Sequence, residues 1–245
     1  LKKELAEYKA SLSDEALDAL VEQTKTLKEH QQEPSSKEAL ECLPMLKRSD
    51  IKREAAKIIN EELTVDDSLF LYHDVCTNGI GYVDLMFKTD SIAPEQIPYL
   101  GLLKSVLGYV DTENYTYGEL FNEINANTGG INCGVEVFDR ADSTEEFQAM
   151  FSVRGKALYT KMDFLFKMIG EILNSSKLED TKRLYEIVAS VKSRAQVNLT
   201  GAGHSTAVLR AAAYSSPMAA FQDEMAGIGY YQFIEKLEKD FEQRK

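Results

Sequence analysis

Residues 98–137 constrain the fold of this chain more than any other stretch, because they predict two helices and a strand in immediate succession. Pro98 suits the first turn of a helix, and Tyr117–Ala126 has the apolar spacing of a second helix. Residues 127–130 end that helix, since glycine accepts the left-handed conformation common at a helix C-terminus. The strand that follows alternates its side chains. The residues expected to face inward are Leu100, Leu103, Leu107 and Val110 in the first helix, Leu120, Phe121 and Ile124 in the second, and Cys133, Val135 and Val137 in the strand.

The rest of the chain predicts further strands and then a run of helices. Leu69–Tyr72 and Ile80–Lys88 have strand character, and Asn78–Gly79 between them is a strong hairpin signal. Phe147–Arg154 alternates as an antiparallel strand with one exposed face. Helical patterns follow, one of them capped by Ser216. The predicted fold class is α+β, an antiparallel sheet with helices packed on it. The first of the later helices should bury Met162, Leu165, Phe166, Ile169, Ile172 and Leu173.

An N-terminal helical hairpin is predicted to precede this α+β layer. Ser13 is a suitable N-cap, and Pro34 interrupts the pattern before a short return helix that ends ahead of Pro44. The hairpin has too little apolar surface to be stable alone. It is therefore either a connector that lies against another domain or a helix pair packed on its own domain. Its apolar face, the best surface for a partner, consists of Leu17, Leu20, Val21 and Leu27.

The segment that links the hairpin to the α+β layer is ambiguous. Residues 47–67 fit either a helix or an extended linker, and the helix would place Ile51, Ala55, Ile58 and Ile59 on one face. We therefore divide the chain into a hairpin connector with its linker, residues 1–66, and an α+β domain, residues 67–245. Because the sequence starts at Leu1 without an initiator methionine, we expect it to be a piece of a longer protein.

Charge and composition exclude two classes of partner. The 245 residues carry a net charge of −12, whereas proteins that bind nucleic acid gain affinity from clustered Lys and Arg. No apolar run approaches the ~18 residues of a membrane span. The three cysteines, Cys42, Cys76 and Cys133, are too few and too scattered for a disulfide framework and fit a reducing compartment. We expect a cytoplasmic location, with an organellar matrix as the alternative.

Four sequence runs together resemble a known family. Thr77–Asp90, Thr116–Leu120 and Ile124–Ile131, with Leu43–Ile51 at the end of the hairpin, are similar to the presequence-protease branch of the insulinase-type (inverzincin, pitrilysin-like) zinc metallopeptidases. The resemblance covers essentially the whole chain. It implies the helical connector and the third of four homologous α+β domains, which together enclose a chamber for peptides.

The resemblance also predicts that this copy of the fold is not catalytic. In the family a helix carries H-x-x-E-H, whose histidines bind zinc and whose glutamate is the general base. With Gly108 aligned to the glycine after that motif, Tyr99 and Leu103 occupy the ligand positions and Leu102 the base position. None of them can hold zinc or activate its water. We therefore expect no catalytic residue, no metal ligand and no cofactor in this chain, and zinc in the first domain of the parent enzyme.

The predicted function follows from that placement. The chain is expected to form part of the chamber wall opposite the zinc domain and the hinge between the halves of a zinc metalloendopeptidase that degrades peptides. Its partners would be the other domains of the parent chain and, in the intact enzyme, the peptide substrate. The alternative is a stand-alone, inactive protease-fold module for interaction or assembly.

Other candidate sites are weaker. Gly201–His204 contains a fragment of a phosphate-loop pattern, but helical residues precede it, so a turn between helices is the better interpretation. His30 and His73 lack metal-ligand spacing, as does His204. A nucleophile at Cys76 activated by His73 lacks an orienting third group.

Three tyrosines cluster where the two central helices meet. Tyr109, Tyr115 and Tyr117 could face the peptide chamber. Tyrosines at helix junctions more often cover the edge of a core with the hydroxyl in water. Both interpretations stay open at the level of the sequence.

Overall fold

The computed structural model describes residues 2–54, 57, 59–143 and 145–243, and it forms two compact units that divide between His73 and Asp74. The division predicted from the sequence, after residue 66, falls in the turn between two paired strands of the first unit. Among the helices of the described residues, none combines the length and the apolar character that crossing a bilayer requires.

The described part of the first unit begins with three helices. They are α1 (Lys2–Ser11), α2 (Asp14–Gln32) and α3 (Lys37–Glu41). The cap predicted at Ser13 is confirmed, because the Ala16 N–H donates a hydrogen bond to its Oγ at 3.3 Å. None of the described residues of these helices is buried.

A β-hairpin ends the first unit. Strands β1 (Glu61–Val65) and β2 (Ser68–Tyr72) pair in antiparallel register. The turn residues Asp66 and Asp67 have φ of 47° and 65°. Two consecutive residues with positive φ form the turn whose twist matches that of paired strands. The ambiguous segment thus contains a strand, while Ala55 and Ile58 of the alternative helix face lie outside the described residues.

The predicted hairpin around Asn78–Gly79 is wrong. Both residues have positive φ, 52° and 83°, and they do form a tight turn, in which the Ile80 N–H donates to the Thr77 oxygen. That turn leads into β3 (Ile80–Lys88), but β3 does not pair with β2. Strand β2 pairs instead with β1, across the two-residue turn at Asp66 and Asp67.

A three-stranded antiparallel sheet forms the centre of the second unit. Its strands are β3, β4 (Ile131–Asp139) and β5 (Phe147–Leu158), in the order β3-β5-β4. Register places Leu85 and Cys133 on either side of Val153, so the three side chains share one face. The predicted inward alternation of β4 and β5 is confirmed by the packing of the inward residues on the core: Cys133, Val135, Val137, Phe147, Ala149, Phe151 and Val153.

Within the described ranges, seven helices accompany this sheet, which confirms the α+β class. Ser216 caps one of them as predicted, since the Ala219 N–H donates to its Oγ at 3.3 Å. The helices are α4 (Ile97–Val106), α5 (Tyr117–Asn127), α6 (Met162–Ser175), α7 (Thr181–Gly201), α8 (Gly203–Ala212), α9 (Pro217–Ala226) and α10 (Ile228–Lys239).

The helices bury apolar side chains in two clusters. The first lies between the sheet and α4, α5, α6 and α9, and the second joins α4 to α7 and α10. Helix α4 therefore has apolar neighbours on two sides. The fully buried side chains of the first cluster include Leu120, Val153, Leu165 and Met168, and those of the second include Val110, Val188 and Ile234.

Three details of the helix predictions need correction. Phe121 is 55% exposed and Phe166 is 49% exposed, because each lies just outside the apolar arc of its helix. Val110 is buried as expected but follows the end of α4. Helix α5 ends in extended backbone at Thr128, whose hydroxyl donates to the Ile124 oxygen at 2.7 Å, and the positive φ falls at Gly130.

Candidate functional site

The positions of the degenerate metal motif lie on α4 and pack against other side chains. The ring of Tyr99 contacts that of Phe233 edge-on, with 4.7 Å between centroids. Leu103 packs against the first apolar cluster and Leu102 against the second. Zinc needs imidazole, thiolate or carboxylate ligands. The residues at these positions do not fit the metal, and in the described part of the chain no group of three His, Cys, Asp or Glu residues is placed to bind one.

A cavity of about 470 Å³ lies elsewhere on α4, at its C-terminal end. It is bounded by the end of α4, by α5, by the start of β4 and by α7, all within the second unit. Tyr99, Leu102 and Leu103 do not line it. Ligand sites in proteins commonly have volumes of roughly 300–1,000 Å³, so this cavity can hold a small ligand or the end of a chain.

The floor of the cavity is apolar. It is formed by Leu107, Ile124, Ile172 and Ile187, which are each less than one-tenth exposed. Phe121, which the helical pattern predicted to be inward, stands instead at the cavity and keeps half its surface exposed. The cavity thus offers apolar contact to a ligand as well as polar groups.

Arg183 forms one wall through interactions with three other residues. Its Nε donates to the Tyr109 carbonyl oxygen at 2.9 Å, and its Nη1 pairs with Glu186 Oε2 at 3.1 Å. Its guanidinium also lies 3.9 Å from the centroid of the Tyr117 ring. The charge of Glu186 is therefore matched by Arg183, and the contact with Tyr117 fixes the plane of the guanidinium.

Two further cations line the cavity. Lys104 is half-buried, and burial lowers its pKa below the ordinary value of 10.5. Arg194 is exposed and lies on α7, two turns from Ile187. Neither makes a hydrogen bond or an ion pair with any residue that the structure describes. Among the described residues, these two positive charges of the cavity have no partner, in a chain whose net charge is −12.

Cys133 also lines the cavity, on β4. Burial raises the pKa of its thiol from 9.0 to about 11. Only the thiolate is a strong nucleophile. At neutral pH this side chain is therefore an inert part of the wall.

The structure separates the three tyrosines. Tyr109 is exposed and lines the cavity, and Tyr117 adjoins it through Arg183. Tyr115 instead packs against the first apolar cluster, and its backbone N–H donates to Thr112 Oγ1 at 3.2 Å.

No pattern in the sequence singles out the three cations of the cavity. Lys104 lies on α4, whereas Arg183 and Arg194 lie on α7, and 74 residues of sequence separate the two helices. No motif connects them, and surface cations at helical positions are common in any chain. Only the contact between α4 and α7 brings them to one cavity.

The weaker candidates occupy structural positions. Helix α7 ends at Gly201 and α8 begins at Gly203, so Ala202 forms a break between two helices. His73 Nδ1 lies 2.9 Å from the Ile59 oxygen, and the Cys76 thiol donates to Asn78 Oδ1 at 3.7 Å.

Comparison with known proteins identifies the family. Residues 1–237 match the peptidase M-16C associated family. The chain is 38% identical over 240 residues to protein HypA of Clostridium perfringens, covering 98% of this chain and 25% of that protein. It is 29% identical over 235 residues to presequence protease 1, chloroplastic/mitochondrial, of Arabidopsis thaliana, covering 96% of this chain and 22% of that protein.

The match to a third relative covers similar shares of the two chains. The chain is 29% identical over 240 residues to the mitochondrial presequence protease of Yarrowia lipolytica, covering 98% of this chain and 24% of that protein. The chain thus spans about a quarter of the length of these relatives. Matched over nearly its whole length, it belongs to the peptidase M-16C associated family, in a branch like the presequence proteases.

Proposed function

We propose that this chain is a non-catalytic part of a larger zinc-dependent metalloendopeptidase that degrades peptides. The observation that carries the proposal is the match of nearly the whole chain to a peptidase-associated family, at about a quarter of the length of relatives named presequence proteases. The side chains of Tyr99, Leu102 and Leu103 support it, since they pack against apolar neighbours and offer no metal donor set.

The proposed role is structural. The second unit would form part of the wall of a peptide chamber opposite the zinc domain, and the first unit would connect the two halves. The exposed apolar face of α2 supports the second point, because Leu20, Val21 and Leu27 are each about half exposed or more. Such a face needs a covering surface, and the other domains of the parent chain would supply it.

The location of the parent enzyme is part of the same proposal. We place it in the cytoplasm, with an organellar matrix as the alternative. Relatives whose names include mitochondrial support the alternative.

Metal content and peptidase activity of the purified chain test the catalytic part of the proposal. We expect far less than one zinc per chain by mass spectrometry and no cleavage of an unstructured peptide library. One tightly bound zinc per chain, together with cleavage that a chelator abolishes, would contradict it.

The flanking reading frame tests the structural part. An H-x-x-E-H helix encoded upstream and a further α+β domain encoded downstream would support a part of one peptidase chain. An ordinary start codon before Leu1 and a stop codon after Lys245 would instead favour the stand-alone interaction module. Neither result depends on whether the cavity of the second unit binds a ligand.

A further inference from the structure

The cavity at the C-terminal end of α4 has an apolar floor and is lined by two cations that have no partner among the residues that the structure describes. We propose that it binds the C-terminal end of a peptide whose last side chain is apolar, with Lys104 and Arg194 binding the carboxylate. The choice of a peptide rests on the proposed function, whereas the choice of a carboxylate on an apolar group rests on the cavity alone.

The charge of the cavity selects an anion. Lys104 is half-buried and Arg194 stands beside the same cavity, and neither has a partner among the described residues. Glu186, which also lines the cavity, pairs with Arg183 at 3.1 Å and forms no ion pair with Lys104 or Arg194. Half-burial takes Lys104 partly out of water, which is unfavourable for a cation without a partner, whereas Arg194 stays exposed to solvent. An arriving carboxylate would relieve that cost and form charge-assisted hydrogen bonds.

The floor of the cavity selects an apolar group next to that anion. Leu107, Ile124 and Ile187 are buried beneath the cavity, and Phe121 stands at its edge with half its surface exposed. An inorganic anion would make no use of these side chains. A C-terminal Leu, Phe or Met residue carries both the charge and the apolar group within one residue.

Polar groups remain available for the peptide backbone. Asn132 and Ser190 line the cavity and make no side-chain hydrogen bond with any residue in the described ranges. Asn125 is already engaged, because its Nδ2 donates to the Phe121 oxygen at 2.8 Å. A volume of about 470 Å³ accommodates the end of a peptide but not a folded partner.

Paired ligands test the proposal on the full 245-residue chain. Isothermal titration calorimetry would compare an N-acetylated tripeptide ending in leucine with a free carboxylate and the same tripeptide ending in an amide. One charge-assisted interaction corresponds to about tenfold in affinity or more. We therefore expect the tripeptide with the free carboxylate (the acid) to bind at least about tenfold more tightly than the tripeptide that ends in an amide (the amide). Its affinity should fall as ionic strength rises.

Two variants and a matched control locate the site. Lys104→Gln and Arg194→Gln should each weaken binding of the acid by about tenfold and leave binding of the amide unchanged. Lys182→Gln removes the same charge from an exposed position of α7 outside the cavity and should change neither affinity. Urea midpoints equal to that of the unmodified chain would show that each variant is folded.

Three results would overturn the proposal: no measurable binding of the acid, equal affinity for acid and amide, or acid-selective binding that Lys104→Gln and Arg194→Gln leave unchanged. A titration with octanoate distinguishes a peptide C-terminus from a fatty acid, since both classes of ligand join a carboxylate to an apolar group. Weaker binding of octanoate than of the tripeptide supports the peptide. Tighter binding of octanoate would overturn the peptide assignment and assign the site to fatty acids.

Discussion

At the scale of single residues, Asp223 joins three helices. It is 1% exposed on α9. Its carboxylate accepts hydrogen bonds from Arg210 of α8 at 2.7 Å and from the Ile228 and Gly229 N–H groups of α10 at 3.0 and 3.1 Å. Two unsatisfied donors at the start of α10 are thereby capped by one buried side chain.

Asp223→Ala should lower the free energy of unfolding by about 3 kcal/mol, since it leaves two backbone donors without an acceptor. Urea denaturation followed by circular dichroism measures this. Arg210→Gln is the control and should cost less, about 1–2 kcal/mol, because the carboxylate keeps both backbone donors and the glutamine amide can still donate a hydrogen bond to it. If both variants lowered the free energy of unfolding by the same amount, the helix cap would not be the larger contribution of Asp223, and the prediction would be wrong.

Glu171 is a second buried carboxylate that holds a loop. It is 8% exposed on α6, and it accepts hydrogen bonds from the Asn114 backbone N–H at 3.1 Å and from Asn114 Nδ2 at 2.9 Å. Hydrogen bonds from Thr112 and Asn114 lower the pKa of Glu171 below its ordinary value of 4.5. The ionised carboxylate therefore stabilises the connection between α4 and α5.

The pH dependence of Glu171→Gln tests this role. Because the pKa is lowered in the folded state, the stabilisation is complete above pH 4.5 and is lost as the pH falls below it. We expect the variant to be about 2 kcal/mol less stable than the unmodified chain at pH 7. The difference should narrow as the pH is lowered well below 4.5, which urea unfolding on both sides of that value measures. A difference in stability that stays the same at both pH values would show that the charge of Glu171 does not contribute.

At the scale of elements, α4 is the helix on which the second unit depends, because it contributes to both apolar clusters. Its close approach to α9 and α10 requires a residue without a side chain. A Cβ at Gly101 would lie 2.7 Å from Tyr230 Cε2 and 3.0 Å from the Met225 carbonyl oxygen. Backbone at that distance cannot move aside without shifting α9.

Gly101→Ala should therefore destabilise the chain by about 1–3 kcal/mol, although alanine is the better helix former. Gly170→Ala in α6 is the matched control, since nothing lies within 4 Å of the added Cβ. It should stabilise the chain by about 0.5–1 kcal/mol. Thermal unfolding of both variants measures the two effects, and a stabilising Gly101→Ala would show that α4 and α9 are not closely packed.

At the scale of the whole molecule, the two units differ in how they are stabilised. The second unit buries two apolar clusters. The described residues of the first unit, by contrast, include no buried side chain, and its β1–β2 hairpin leaves Leu69, Phe70 and Leu71 exposed. A two-stranded hairpin and short helices without a core are marginally stable in water.

Limited proteolysis should therefore cut the first unit before the second. With trypsin at low ratio we expect early cleavage within the first unit and a resistant product that begins after Lys57, because no Lys or Arg lies between Lys57 and Lys88. Mass spectrometry identifies this product. Thermolysin, which has a different side-chain specificity, should yield a product of similar extent. Early cleavage inside β5 or α6 would contradict the difference in stability.

The sequence by itself determined the elements and their faces. The period of the apolar residues predicted α4, α5, β4 and β5, and Ser13 and Ser216 were recognised as caps, because periodicity and capping depend on neighbours a few residues away. Family membership was also evident from local runs such as Ile124–Ile131. The absence of metal donors at Tyr99 and Leu103 needed only the identity of the side chains.

Only the tertiary structure decided which strands pair and where a ligand could bind. Asn78–Gly79 forms the turn that its sequence predicts, yet β3 pairs with β5, because pairing depends on which distant strand lies alongside. The exposure of Phe121 depends likewise on where α5 meets its neighbours. Lys104 and Arg194 line the same cavity although 90 residues of sequence separate them. Side chains on different helices become neighbours only when those helices pack.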